Sequence, residues 1–72
     1  MHADQLKGKW NQLQGDAKRQ WGKLTDDDLK TVEGDSQKLS GKIQERYGKS
    51  KDEADREVND WMDKQDDDRR RE

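Results

Sequence analysis

A faint internal duplication constrains the fold of this chain more than any other feature of its sequence. When residues 3–28 are shifted by 26 positions onto residues 29–54, leucines, glycines, lysines and aromatic residues coincide. The clearest match joins L-x-G-x-x-x-x-x-W-G-K, which starts at Leu13, to L-x-G-x-x-x-x-x-Y-G-K, which starts at Leu39. A repeat of this length is typical of one supersecondary unit used twice. The sequence therefore predicts a small all-α, four-helix domain built as two packed α-hairpins.

Apolar residues recur at helical spacing in both halves. The first stripe has spacings of four, three, four and four residues, which places its members on one helical face; they are Leu6, Trp10, Leu13, Ala17 and Trp21. With the flanking cap signals, such stripes predict helices near 3–21, 25–34, 36–47 and 50–63. The predicted core holds the large apolar residues of all four helices: Trp10, Leu13, Trp21, Leu24, Leu29, Val32, Leu39, Ile43, Tyr47, Val58 and Trp61.

Two capping boxes mark helix starts. Thr25 is followed by three aspartates, and Asp28 takes the N3 position from which a side chain returns a hydrogen bond to the N-cap. Ser50 and Glu53 repeat this arrangement before the last apolar stripe. The acidic first turns also favour the positive end of the helix dipole. The second and fourth helices are therefore expected to begin at these residues.

Glycines mark the expected helix ends. Gly22 and Gly48 each follow the last residue of an apolar stripe, where a left-handed C-cap is needed, and Gly34 ends or bends the second helix. Asp35 or Ser36 then caps the start of the third helix.

Length and composition exclude several classes of protein. The chain has 72 residues, of which 24% are apolar and 47% are charged, so it forms one domain with a small core. It contains no cysteine, which excludes disulfides, thiolate catalysis and cysteine-bound zinc. It has neither an apolar run of membrane-spanning length nor a secretory signal, so no membrane association and a cytoplasmic location are expected. We expect the domain to occupy residues 1–63 and a disordered charged tail to occupy residues 64–72.

The sign of the charge alternates along the chain with the repeat. Residues 1–24 carry five basic side chains against two acidic ones, and residues 38–51 carry five against one. Residues 25–37 carry one basic side chain against five acidic ones, and residues 52–72 carry five against ten. The first and third helices are thus basic and the second and fourth acidic, which favours opposite-sign neighbours in an antiparallel arrangement.

The sequence contains no catalytic constellation, and no catalytic, cofactor-binding or metal-binding residue is predicted; residues that bind a partner stay open. His2 is the only histidine and lies at the chain end without converging partners. The aspartates at 26–28 are better explained by helix capping than by a metal, because an EF-hand would also need particular Gly and Glu positions. The aspartates at 66–68 are interpreted as part of a solvated tail.

Nucleic-acid binding is the alternative that the basic helices suggest. Their basic side chains could neutralise phosphates; these are Lys7, Lys9, Lys18, Arg19, Lys23, Lys38, Lys42, Arg46, Lys49 and Lys51. Trp10, Trp21 and Tyr47 lie among them and could stack on bases. Two observations weigh against this interpretation: the chain is acidic, with a pI near 5.4, and the three aromatic residues belong to the apolar stripes.

Several motifs closely resemble those of the CsbD-like family of small bacterial stress-response proteins. The resemblance is carried by W-G-K-L-T-D-D-D at residues 21–28 and by G-K-I-Q-E-R-Y-G at residues 41–48. Gly8-Lys9-Trp10 near the start fits as well, and the resemblance covers roughly residues 3–62. It implies a compact bundle of four helices and induction under general stress in the bacterial cytoplasm. It implies no reaction, so it supplies no catalytic residues.

A non-enzymatic role in the stress response is therefore the favoured function. The mean hydropathy of −1.84 is typical of chains that stay soluble under crowded or drying conditions. We expect a hydrophilic, monomeric accessory protein that protects or weakly engages protein clients. The alternative is a nucleic-acid-binding module that uses the basic faces of the first and third helices.

Overall fold

The computed structural model describes the backbone of residues 2–70 and the side chains of residues 2–65. The described chain is all-α, as predicted, and has five helices joined by short turns. They are α1 (Ala3–Gly8), α2 (Trp10–Gln20), α3 (Asp26–Val32), α4 (Ser36–Tyr47) and α5 (Lys51–Arg70).

The predicted first helix is divided in two, which corrects the expected count of four helices. Lys9 leaves helical geometry with φ −107° and ψ 8°, and it separates α1 from α2. The interruption directly follows Gly8, whose low helix propensity costs about 1 kcal/mol relative to Ala. It accompanies a close approach between α1 and the turn after α3, where a Cβ at Gly34 would lie 2.5 Å from the Cα of Lys7.

The two W/Y-G-K motifs end their helices differently. Gly48 is the left-handed C-cap of α4, with φ +64°, and its N–H donates to the carbonyl of Gln44. The left-handed cap predicted at Gly22 is wrong: α2 ends one residue earlier, and Trp21 is its C-cap with φ −124° and ψ 80°. The first copy thus leaves its helix through a turn, in which the Leu24 N–H donates to the Trp21 carbonyl at 3.0 Å, rather than through a left-handed glycine.

Both caps predicted for α3 and α4 are present. The hydroxyl of Thr25 accepts from the Asp28 N–H at 3.1 Å, and the Asp28 carboxylate accepts from the Thr25 N–H at 3.1 Å. The carboxylate of Asp35 caps α4 by accepting from the backbone N–H groups of residues 37 and 38. α3 ends at Val32, two residues before the predicted Gly34: Glu33 is its left-handed C-cap, with φ +51°, and Gly34 follows with φ +83°.

The last helix starts near its predicted cap and extends further than predicted. The Glu53 N–H donates to the Ser50 hydroxyl at 3.2 Å. We expected the helix to end near residue 63, whereas α5 continues to Arg70. Side chains 66–70 and residues 71 and 72 lie outside the described part, so the disordered tail at 64–72 and the solvated aspartates at 66–68 remain predictions.

The core contains most of the predicted residues and four more. Leu6, Ala17, Ala54 and Met62 join it, whereas Leu13 and Tyr47 are only partly buried against it. Packing is mainly between helices that follow one another, and it is most extensive between α4 and α5. The rings of Trp21 and Trp61 pack edge to face, with 5.4 Å between their centroids, so the end of α2 packs on α5.

Candidate functional site

Asp28 is the buried carboxylate at the centre of an ionic cluster between α3 and α4. Its relative exposure is only 3%. Arg46 donates two hydrogen bonds to the carboxylate, from Nε at 2.9 Å and from Nη2 at 3.1 Å. The Nζ of Lys42 lies 3.5 Å from Asp28 Oδ1. Hydrogen bonds from Arg46, and then the Thr25 N–H, hold the pKa of Asp28 far below its usual range. The cap of α3 is thus also the anchor of α4, and this carboxylate stays charged in moderate acid.

Glu57 of α5 joins the two copies of the repeated motif. The indole N–H of Trp21 donates to its Oε1 at 3.0 Å, and the ammonium of Lys49 contacts its Oε2. The hydrogen bond from Lys49, followed by that from Trp21, lowers the pKa of Glu57. One carboxylate therefore binds the aromatic residue of the first motif and the lysine of the second.

Tyr47 makes the second link between the motifs. Its hydroxyl accepts from the backbone N–H of Lys23 at 3.1 Å. The ammonium groups of Lys23 and Lys49 lie 5.2 Å and 5.6 Å from the centre of its ring, within the range of cation–π attraction. Tyr47 therefore orders the lysines of both motifs and is positioned as a structural element of this junction.

A third polar contact connects α2 with α5. Asp16 accepts from the Trp61 indole N–H at 2.9 Å and from the Gln65 amide at 3.0 Å. The Trp21–Glu57 bond mirrors this contact. The segment of α2 and its C-cap supplies the indole of Trp21 and the carboxylate of Asp16, and α5 supplies the indole of Trp61 and the carboxylate of Glu57. The exchange fixes α5 along α2.

Half of the ten predicted basic residues are engaged by acidic side chains of the fold. Five of them pair with carboxylates, namely Lys18, Lys42, Arg46, Lys49 and Lys51. Trp10 and Trp21 are buried, and the Trp10 indole donates to the Leu29 carbonyl at 3.0 Å. The stacking platforms that a nucleic acid would need are thus absent from the described surface, apart from the half-buried ring of Tyr47.

The remaining candidate sites are polar and shallow. Within residues 2–65, no three His, Cys, Asp or Glu side chains come together as a metal site would require. His2 is exposed at the start of α1, and its backbone N–H donates to Gln5 Oε1 at 3.1 Å. A surface groove of about 500 Å³ lies between α1 and the turn before α4, and its lining includes Asp4, Lys7, Glu33, Gly34 and Lys38.

Comparison with known proteins identifies the family. The model of the CsbD-like family matches residues 4–56 of the chain. The chain belongs to the CsbD-like family.

The matches between this CsbD-like protein and its relatives cover most of both chains. It is 56% identical over 63 residues to the UPF0337 protein ECA0631 of Pectobacterium atrosepticum, covering 88% of this chain and 91% of the relative. It is 56% identical over 61 residues to the UPF0337 protein YjbJ of Escherichia coli K12, covering 85% and 88%. It is 53% identical over 64 residues to the UPF0337 protein PA4738 of Pseudomonas aeruginosa, covering 89% and 98%.

The motifs that carried the resemblance lie at the junctions of the CsbD-like fold. W-G-K-L-T-D-D-D contains the indole that binds Glu57 and the cap of α3, and G-K-I-Q-E-R-Y-G contains Arg46 and Tyr47. None of the helices in the described part of the chain is long and apolar enough to cross a membrane.

No contact was predicted from the sequence for the two carboxylates that receive the indoles. Asp16 and Glu57 lie 45 and 36 residues from their tryptophan partners. The sequence did indicate that acceptors were needed, because a buried tryptophan usually donates its indole N–H to a hydrogen-bond partner. Sequence alone does not show which of many acids lies within reach.

Proposed function

We propose that this CsbD-like protein is a non-enzymatic bacterial stress-response protein with a protective, hydrophilic role in the cytoplasm. The observation that carries the proposal is the character of its surface. No large hydrophobic side chain is exposed among residues 2–65, while 47% of the chain is charged. A surface of this kind favours solubility and offers weak polar contacts instead of one apolar docking site.

The mixed charge of the surface suggests how protection works. Basic and acidic segments alternate along the chain, so a protein client can form many weak ion pairs with this protein. Each such exposed pair contributes about 0–1 kcal/mol. Such contacts retain water at the client surface and keep clients apart when water is scarce. The folded protein acts as a monomer in this proposal, because it presents no apolar patch on its described surface to drive tight self-association.

The duplicated two-hairpin arrangement belongs to the same proposal. Corresponding positions support it, because Leu6 and Val32 are both fully buried, and so are Ala17 and Ile43. Each half would then be a basic segment followed by an acidic one, and the alternation of charge would arise from the duplication.

A client-protection assay tests the function. An aggregation-prone enzyme is dried and rehydrated, or heated, with this protein or with an inert protein at equal mass. Recovery of enzyme activity should be higher with this protein, and the benefit should fall as salt screens charged contacts. Equal recovery with both additives would refute the protective role.

Nucleic-acid binding is tested beside it. Titrations with DNA and with RNA at low and high salt should show no saturable binding, because five of the ten basic side chains pair with carboxylates and both Trp10 and Trp21 are buried. Saturable, salt-dependent binding at low salt would favour that alternative function.

A further inference from the structure

Carboxylates make the main polar contacts between α5 and the segments that precede it. Glu57 accepts from the Trp21 indole and the Lys49 ammonium, and Asp16 accepts from the Trp61 indole. Hydrogen bonds to a charged acceptor are roughly twice as strong as those to a neutral one. The polar part of the attachment of α5, which adds to its apolar packing, is therefore strongest while its carboxylate acceptors are ionised.

A third carboxylate holds α5 against α4. The Ser40 hydroxyl donates to Asp55 Oδ1 at 2.5 Å, and Lys51 contacts the other oxygen at 2.7 Å. The bonds to Lys51, and then to Ser40, lower the pKa of Asp55. Within residues 2–65, polar side chains connect α5 to α2 with Trp21, to α4 and to the turn before α5, and each of these connections includes a carboxylate.

We propose that α5 is an acid-released strap, which detaches from the domain before α2, α3 and α4 separate from one another and so uncovers the indole-rich interior. The proposal rests on the protective function above and adds a regulated, apolar mode of client binding to it.

The sign of the pH dependence follows from the lowered pKa values. A carboxylate whose pKa is lower in the folded state stabilises the fold above its unfolded pKa, and this stability is lost as the pH falls through the folded pKa. Unfolded Asp and Glu titrate at about 3.9 and 4.3, so the contributions of Asp55 and Glu57 are complete at neutral pH and decline below about pH 4.5.

The groups that face these acids do not oppose the release. Lys49 faces Glu57 and Lys51 faces Asp55, and their carboxylate partners raise the pKa of both lysines, so they stay charged throughout acid titration. Asp16 faces the Trp61 indole and the Gln65 amide. Protonation of Glu57 therefore leaves α5 beside the unbalanced ammonium of Lys49, and protonation of Asp55 weakens the bond from Ser40 of α4, whereas Lys51 belongs to α5 itself.

The α3–α4 contact survives to lower pH. Asp28 is more deeply buried than the α5 acids, and two bonds from Arg46 and one from Thr25 hold its pKa further below its usual range. Release is consequently sequential. Detachment of α5 would expose Val58, Trp61 and Met62 on the strap and Trp21 on the body, all of which are buried in the closed protein.

The three indole N–H groups of the wild-type protein are built-in probes for this sequence of events. Trp21 and Trp61 donate to carboxylates, whereas Trp10 donates to a backbone carbonyl between α2 and α3. In a nitrogen-labelled sample taken from pH 7 into acid, the indole resonances of Trp21 and Trp61 should move to unfolded positions before that of Trp10. A common midpoint for all three, or an earlier loss of the Trp10 signal, would overturn the proposal.

A matched pair of variants on α5 isolates the charge. Glu57→Gln keeps an oxygen acceptor but removes the charge, so the midpoint of the Trp21 signal should move to higher pH. Asp60→Asn neutralises an exposed acid on the same helix and should leave that midpoint unchanged. Equal midpoints in wild type and Glu57→Gln would contradict the role of this carboxylate.

Binding of an apolar dye separates the strap from the proposed function. Dye fluorescence should rise with the loss of the Trp61 signal and before the loss of the Trp10 signal, and its absence at that stage would contradict uncovering of the interior. Client protection at neutral pH tests the protective function alone, because α5 is attached there.

Discussion

The two copies of the repeated motif share a sequence pattern but have different environments. Trp21 in the first copy is 2% exposed, contacts Trp61 and donates to Glu57, whereas Tyr47 in the second copy is half-buried beneath two lysines. The first copy packs against Trp61 of α5, whereas the ring of the second is only partly covered by the core. Position relative to α5, more than local sequence, therefore decides which copy forms core and which forms surface.

The aromatic residues should show the largest difference between the copies. Trp21→Ala removes a fully packed indole and leaves a cavity against Trp61, so we expect a loss of about 3–5 kcal/mol in the free energy of unfolding. Tyr47→Ala removes a half-buried ring and should cost roughly 1–2 kcal/mol. Urea unfolding followed by circular dichroism measures both losses, and equal losses would contradict the difference in burial.

The glycines at 8 and 34 are equivalent in the repeat but should respond with opposite signs. A Cβ at Gly34 would meet backbone atoms of Lys7 at a residue with φ +83°, so Gly34→Ala should destabilise the fold by roughly 2–4 kcal/mol. Nothing lies within 4 Å of a Cβ at Gly8, which is helical, and Gly8→Ala should stabilise it by up to about 1 kcal/mol. Thermal unfolding of the two variants measures the sign of each change in stability. An unchanged melting temperature for Gly34→Ala would contradict the close packing of α1 against Gly34.

Arg46 and Gln20 are the next equivalent pair. Arg46→Met removes two hydrogen bonds from the buried Asp28 and should cost about 1–3 kcal/mol, since a buried charge loses its main partner. Gln20 is exposed at the end of α2, so Gln20→Met should change stability by less than about 0.5 kcal/mol. The Arg46→Met loss should shrink in strong acid, where Asp28 is protonated. Unfolding free energies at several pH values measure this, and a loss that does not vary with pH would contradict the ionic origin.

The smallest contrast concerns the glycines of the motifs themselves. Gly48→Ala places a side chain at φ +64° and should cost about 1 kcal/mol, although there is open space around it. Gly22 has no positive φ and equally open surroundings, so Gly22→Ala should be close to neutral. A larger loss at Gly22 in urea titrations would restore the left-handed cap that the sequence suggested there.

Most features set by neighbouring residues were predictable from the sequence, with the exception of the left-handed cap expected at Gly22. The Thr25–Asp28 box and the caps at Asp35 and Gly48 follow from local hydrogen-bonding needs, and all were expected. The break at Lys9 was missed, because it accompanies the approach of α1 to Gly34, which lies 25 positions further along the chain. Glu57 was missed for the same reason: its role depends on a tryptophan brought to it by folding.

Tryptophan fluorescence tests the central claim, that both halves close over a shared indole-rich interior beneath α5. The native protein should emit at short wavelength and resist quenching by iodide, because Trp10, Trp21 and Trp61 are all buried. Urea should shift the emission to the red in one cooperative transition and make the indoles accessible. Native emission at the wavelength of the unfolded chain, with quenching unchanged by urea, would contradict the account.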